Sequence, residues 1–275
     1  MKAVTITDNV GVELQDLDLS KPFDADEIRI LRGAFDTGGV VLVRGQKLRD
    51  EDHDRFVTSL GDLHTFRWGS TVEYLSNVMK DNPSLAGSRR LLFHNDGAYR
   101  GNIASGTSLY AQDVSPTSPP TAFASTVRAY ENLSDELKAR IENLHAYNMF
   151  DPRDLDAEQK RVMLVDYPDG ADLSPIQSAV HPVVTVVPHT GKKALFVNEF
   201  NTSHIVEYGP GSEEGEDLLQ TLFAALYKEE NIYTHHYEND DLVLFNNLAV
   251  QHARTGQIDR NPRTLRRLVL QSLNW

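Results

Sequence analysis

The stretch "IYTHHYENDDLVLFNNLAVQHAR", residues 232–254, sets two short apolar runs on either side of an Asn-Asp-Asp turn. It ends in a polar, loop-like segment that carries His252. Runs this short, rich in β-branched and aromatic residues and bounded by turn formers, read as strands of an antiparallel sheet. "RTLRRLVLQSLNW" (263–275) adds another strand, and "GVVLVRG" (39–45) a buried one closed by glycine. "RRLLFHND" (89–96), "GTSLYAQDV" (106–114) and "PTAFASTV" (120–127) read the same way. "HPVVTVVPHTGKKALFVNEF" (181–200) reads as a hairpin turning at Thr190-Gly191-Lys192.

Helical spacing is confined to fewer segments. "DADEIRILRGAFDTG" (24–38) repeats apolar residues at Ile28, Leu31 and Phe35 and stops at glycine, and "RDEDHDRFVTSLGDL" (49–63) is a shorter amphipathic run. "YENLSDELKARIENLHAYN" (130–148) predicts one helix with Ser134 as N-cap, and "EDLLQTLFAALYKEEN" (216–231) another. Residues 76–90 read as a loop, and 151–178 as a loop or lid. The expected architecture is mostly β with flanking helices, a curled antiparallel or jelly-roll core in a single domain over 1–275.

The chain's 275 residues suffice for a core without covalent staples. Its 27 basic and 40 acidic residues give a net charge of -13, which argues against nucleic acid or an anionic membrane as partner. There is no apolar run of membrane-spanning length. Acids interrupt the N-terminal stretch where a signal peptide would be apolar, so a cytoplasmic protein is expected. With no cysteine in the chain, a metal would have to be held by His, Asp or Glu.

Residues i and i+2 of a strand point the same way, so His94 and Asp96 can present an imidazole and a carboxylate to one point. An Asp-Gly turn after an edge histidine explains the pair equally well. His252 adds a third donor. Two histidines and one carboxylate with open positions are the ligand set of non-haem Fe(II) oxygenases, and such an iron often takes two electrons from a 2-oxo acid. A 2-oxo acid calls for an arginine on its far carboxylate. In "RNPRTLRRLVLQSL" (260–273), strand alternation puts Arg263, Leu265, Arg267 and Val269 on one face, although a solvated basic edge accounts for the arginines as well. His235-His236 point to opposite faces of a strand. His181 and His189 read as structural, His145 as closing a helix, and "EEGE" (213–216) and "ENDD" (238–241) as solvated turns.

The ordered blocks "FHND" (93–96), "PPTAFAST" (119–126), "GKKALFVNEF" (191–200), "FNNLAVQH" (245–252) and "NPRTLRR" (261–267) resemble the TauD/TfdA family of Fe(II)- and 2-oxoglutarate-dependent dioxygenases. "VGVELQDLDLSKPF" (10–23), "GVVLVRGQKLRDEDHDRFVTSLGDLH" (39–64) and "RAYENLSDELKARIENLHAYN" (128–148) fall in the same order, so the resemblance spans essentially the whole chain. It implies a double-stranded β-helix core, a form of jelly roll, and the cofactors Fe(II), 2-oxoglutarate and O2. It further implies His94, Asp96 and His252 as iron ligands, Thr121 and Arg263 as contacts of 2-oxoglutarate, and Arg267 on the substrate side.

Taurine dioxygenase, the family's type, holds its sulfonate with a histidine and a tyrosine after the "GDLH" block and an asparagine before the His-x-Asp pair. Here "GDLHTFRWGS" (61–70) puts Phe66 and Gly69 near the first two positions, and Arg90 stands near the third. Taurine is therefore not the expected substrate. Arg90, Arg267, Tyr99, Phe66 and Trp68 suggest a small anionic molecule in a more apolar pocket. Asp96 disfavours halogenation, since related halogenases leave that position to chloride. Hydroxylation is the default, with desaturation, bond cleavage or a non-catalytic 2-oxoglutarate-binding protein as alternatives. A homo-oligomer stays open.

Overall fold

A computed structural model describes residues 1–7, 10–79, 90–152, 161–168, 170–256 and 261–274. The chain begins with β1 (Lys2–Thr5), β2 (Val12–Gln15), α1 (Ala25–Gly38), β3 (Val40–Val43) and α2 (Asp50–Thr58). Next come β4 (Val72–Ser76), β5 (Leu91–His94), β6 (Gly106–Val114), β7 (Thr121–Ser125), α3 (Thr126–Glu131) and α4 (Asp135–Ile141). β8 (His145–Phe150), β9 (Gln177–Pro182), β10 (Val184–Val186), β11 (Lys193–Leu195), β12 (Thr202–Ile205) and α5 (Glu213–Leu226) follow. The described elements close with β13 (Ile232–His235), β14 (Leu242–Asn246), β15 (Val250–Arg254) and β16 (Arg263–Leu270).

The mostly β architecture matches expectation. A seven-stranded sheet in the order β1-β2-β3-β14-β6-β16-β4 lies against a four-stranded one, β13-β7-β15-β5. Strand alternation builds both of its interfaces. On β14, Val243 and Phe245 join Leu42, Leu109, Phe123, Val250 and Leu265 between the sheets. Leu242 and Leu244 of the same strand turn the other way, onto Leu31 and Phe35 of α1 and Phe56 of α2. With both faces covered, β3 and β14 are apolar and fully buried along nearly their whole length.

α1 is set by local chemistry. Asp24 and Glu27 form a reciprocal capping box at its start, and Gly39, at φ 70°, takes the left-handed conformation that ends it. The hairpin over 184–195 forms as expected, with Val186 opposite Lys193 and Gly191 at φ 68° in the turn.

Four local expectations are corrected. The run 130–148 is not one helix. Ser134 does cap α4, but α3 ends before it, α4 stops at Ile141, and His145–Phe150 is a strand paired with β9 and β12. Two strand neighbours outweigh the helical propensity of that stretch. His145 therefore closes no helix; it opens β8, its Nδ1 2.7 Å from Glu207 Oε1. His252 lies on a strand, not in a loop. The acid runs are solvated turns only in part: Glu213–Glu216 is the first turn of α5, with Glu213 and Glu214 exposed, and 238–241 does turn at Asn239 and Asp240 with Glu238 and Asn239 exposed, but Asp241 is buried on Arg44 and His235. Among the described residues no helix is long and apolar enough to cross a membrane.

Candidate metal centre and cavity

β5 and β15 run antiparallel, with His94 directly opposite His252. The two rings sit with centroids 4.2 Å apart. Just past the end of β5, where the chain turns through Gly97 at φ 73°, Asp96 faces both rings. Asp96 Oδ1 lies 3.9 Å from His94 Nε2 and 3.8 Å from His252 Nε2. The three donor atoms all fall within 4.8 Å of one another. That separation is too long for hydrogen bonding among them and leaves room for an ion between them.

Their surroundings hold each donor in ligand form. His94 Nδ1 sits 2.8 Å from the carbonyl of Leu92, which assigns the proton to Nδ1 and frees Nε2. Burial lowers the pKa of both imidazoles, that of His252 to about 3, so both are neutral at pH 7. Burial pushes the Asp96 carboxyl up, but the Arg267 guanidinium, with the hydrogen bond from Thr107, favours the carboxylate and the group is held below the usual carboxylate range.

The residues that orient Asp96 carry no signal recognisable in the sequence. Asn247 Oδ1 accepts from the Asp96 amide at 2.7 Å, while its Nδ2 donates to the carbonyls of Asp96 and Ala104 at 2.9 Å. Thr107 Oγ1 donates to Asp96 Oδ2 at 2.7 Å.

Strand parity places the arginines. Arg263, Leu265, Arg267 and Val269 all line the cavity beside the triad. Arg266 faces the opposite way, onto His53 and Asp54. Arg267 has its charge matched: Nη2 is 2.6 Å from Asp96 Oδ1, and Nη1 meets the buried carboxylate of Glu73, its cross-strand neighbour on β4. Arg263 differs. It is buried, its Nε donates to the Pro119 carbonyl at 3.4 Å, its Nη2 is 3.5 Å from Thr121 Oγ1, and among the described residues its Nη1 has no hydrogen-bond partner. Among the described residues it has no carboxylate partner either. A buried guanidinium without a counter-charge is costly unless a ligand supplies one.

The cavity, about 300 Å³, has two aromatic walls. Phe66 stacks on Trp68 with centroids 4.8 Å apart, and Tyr99 stacks on Phe150 at 4.6 Å. Arg90 is exposed at the head of β5 and is not among the lining residues. Of the loop or lid read over 151–178, residues 153–160 and 169 lie outside the described residues, while Pro152 and Gln177 line the cavity.

A family model described as taurine catabolism dioxygenase TauD, TfdA family, matches residues 3–269. Pentalenolactone F synthase of Streptomyces avermitilis is 24% identical, over 94% of this chain and 90% of its own length. The alpha-ketoglutarate-dependent 2,4-dichlorophenoxyacetate dioxygenase of Cupriavidus pinatubonensis is 26% identical, over 88% of this chain and 87% of its own. A solved structure of AAD-2 in complex with Mn(II) and N-oxalylglycine superposes with a TM-score of 0.81 at 25% identity, covering 98% of this chain and 97% of that one. The chain belongs to the TauD/TfdA family, and it is an enzyme of the alpha-ketoglutarate-dependent dioxygenase class.

Proposed function

We propose that His94, Asp96 and His252 hold Fe(II), that Arg263 and Thr121 hold the far carboxylate of 2-oxoglutarate, and that the enzyme hydroxylates a small organic anion. The observation that carries this reading is the convergence of three donors of the right type beside a buried arginine that lacks a counter-charge. Neutral imidazoles and an ionised carboxylate suit a ferrous ion, and the set leaves coordination positions open. With 2-oxoglutarate and O2, the bound iron supplies an oxidant able to take hydrogen from carbon, with release of succinate and CO2.

The chain's own residues bind, orient and exclude water. His94 is kept in one tautomer by Leu92, and Asp96 is fixed by Thr107 and Asn247. Arg263 offers a fork to a carboxylate and Thr121 a hydroxyl beside it. The aromatic walls give an apolar body a place to lie and keep water from the reacting carbon. Asp96 occupies the position that halogenases leave to chloride, so oxygen insertion is favoured. We read the two facing sheets as a double-stranded β-helix, a jelly-roll form, within one domain. A small molecule, not taurine, is the substrate: Phe66 and Gly69 stand where taurine dioxygenase has sulfonate contacts.

The test is anaerobic addition of Fe(II) and 2-oxoglutarate, followed by O2. A visible charge-transfer band, then succinate, is expected from the wild type, and neither from Asp96→Ala. No band in the wild type sinks the cofactor assignment; a band unchanged in His94→Ala or Asp96→Ala sinks the ligand assignment.

A further inference from the structure

We infer that Arg100 is the residue that anchors the anionic group of the substrate, at the mouth of the cavity. The inference rests on the dioxygenase reading above and gives it a specificity determinant. Two other arginines are poorly placed for that task. Arg90 is exposed outside the lining, and Arg267 is already neutralised by Asp96 and Glu73.

Arg100 is held ready on several sides. Its amide donates to the Gly97 carbonyl at 2.8 Å, and its own carbonyl accepts from His181 Nε2 at 2.9 Å. The guanidinium lies over the Tyr99 ring, 5.4 Å from its centroid, and Nη1 donates to His64 Nε2 at 3.1 Å. That donation makes His64 Nε2 an acceptor and puts its proton on Nδ1, toward Gln271 Oε1 at 3.2 Å. The partner of Arg100 is therefore a neutral ring that orients the charge and leaves it uncompensated. Among the described residues no carboxylate lies within ion-pair distance of it. Arg67, also at the mouth and exposed like Arg100, has no such support among the described residues.

The setting reinforces the assignment. In a chain of net charge -13, the described charged residues lining this cavity are Glu73 and Asp96 against Arg67, Arg100, Arg254, Arg263 and Arg267. A cationic cleft with low-dielectric walls concentrates anions. Tyr99 lies against the Arg100 guanidinium and also stacks on Phe150. The fitting ligand is an organic monoanion whose flat or apolar body lies along the aromatic walls.

Trp68 provides a readout that needs neither metal nor turnover, since it lines the cavity and Trp275 is the chain's only other tryptophan. Phenylacetate and its uncharged analogue phenylacetamide are titrated against the metal-free protein by fluorescence, with Trp68→Phe identifying the signal. Phenylacetate is expected to bind more tightly than the amide. Because Arg100 is exposed to solvent, which weakens its pull on an anion, Arg100→Leu should weaken phenylacetate about tenfold and leave the amide unchanged. Arg100→Lys should recover part of the loss, and Arg90→Leu should match wild type. Equal binding of acid and amide by the wild type, full affinity in Arg100→Leu, or an equal loss in Arg90→Leu would overturn the inference. The charge-transfer band with Fe(II) and 2-oxoglutarate, measured on the same preparations, reports separately on the reading beneath it.

Discussion

Arg267 Nη2 lies 2.6 Å from Asp96 Oδ1, the same oxygen that faces both His94 and His252. One carboxylate oxygen is thus shared between a buried guanidinium and the three-donor site. The other arm of the guanidinium is committed to Glu73, directly across the strand pair. Burial disfavours the charge on Arg267, yet the two carboxylates more than compensate and raise its pKa.

Removing Arg267 leaves two buried acids unpaired. Arg267→Leu should cost about 3–5 kcal/mol of stability in urea unfolding of the metal-free protein. Adding Glu73→Gln should restore part of it, because one of the orphaned charges is then gone. Additive losses in the double variant would show that the two residues do not act as a pair.

The hydroxyl of Thr107 orients the carboxylate of Asp96 from outside the donor set. Thr107→Val should weaken Fe(II) binding about 10- to 100-fold, the usual effect of losing a group that orients a metal ligand. Titration of the anaerobic protein with Fe(II) measures this. Unchanged affinity would mean that Asn247 alone fixes Asp96.

Arg263 is expected to set 2-oxoglutarate affinity. Arg263→Leu should raise the 2-oxoglutarate concentration that half-saturates the charge-transfer band about 100-fold, in line with the loss of a two-pronged ionic contact of about 2.7 kcal/mol. Arg263→Lys should fall between, since an ammonium keeps the charge and loses the fork. A band that saturates normally in Arg263→Leu would remove this residue from the cosubstrate site.

His53 is fully buried between Ser108 and Arg266, and burial, aided by the Arg266 charge, lowers its pKa from 6.5 to about 3. The folded state therefore binds fewer protons than the unfolded chain between those values. Stability rises with pH across that window and is lost as pH falls from about 6.5 toward 3. This single group contributes a slope approaching about 1.4 kcal/mol per pH unit. His53→Gln should flatten urea-unfolding stability between pH 6 and pH 4 by about that amount. An unchanged slope would mean that His53 is not held neutral.

Much of the fold follows from local rules and was legible in the amino-acid order. The capping box of Asp24 and Glu27, the stop at Gly39 and the turn at Gly191 are settled by residues within four positions of one another. The two-residue period of a strand sufficed to put Arg263, Leu265, Arg267 and Val269 on one face, and the tertiary structure turns that face to the cavity. The sequence also pointed to His94, Asp96 and His252 as donors able to meet, and the pairing of β5 with β15 brings them together.

Only the tertiary structure decided what each charge does there. Glu73 neutralises Arg267 across 194 residues of sequence, and Asn247 holds Asp96 across 151. The strand at His145–Phe150 replaces a helix because two partners pair with it. Arg90, four positions before the donor His94, lies outside the cavity, whereas Arg100 reaches its mouth. Periodicity and capping are properties of neighbouring residues, so sequence alone determines them. Desolvation and ion pairing depend on which distant groups share a site, and only the packed chain settles that.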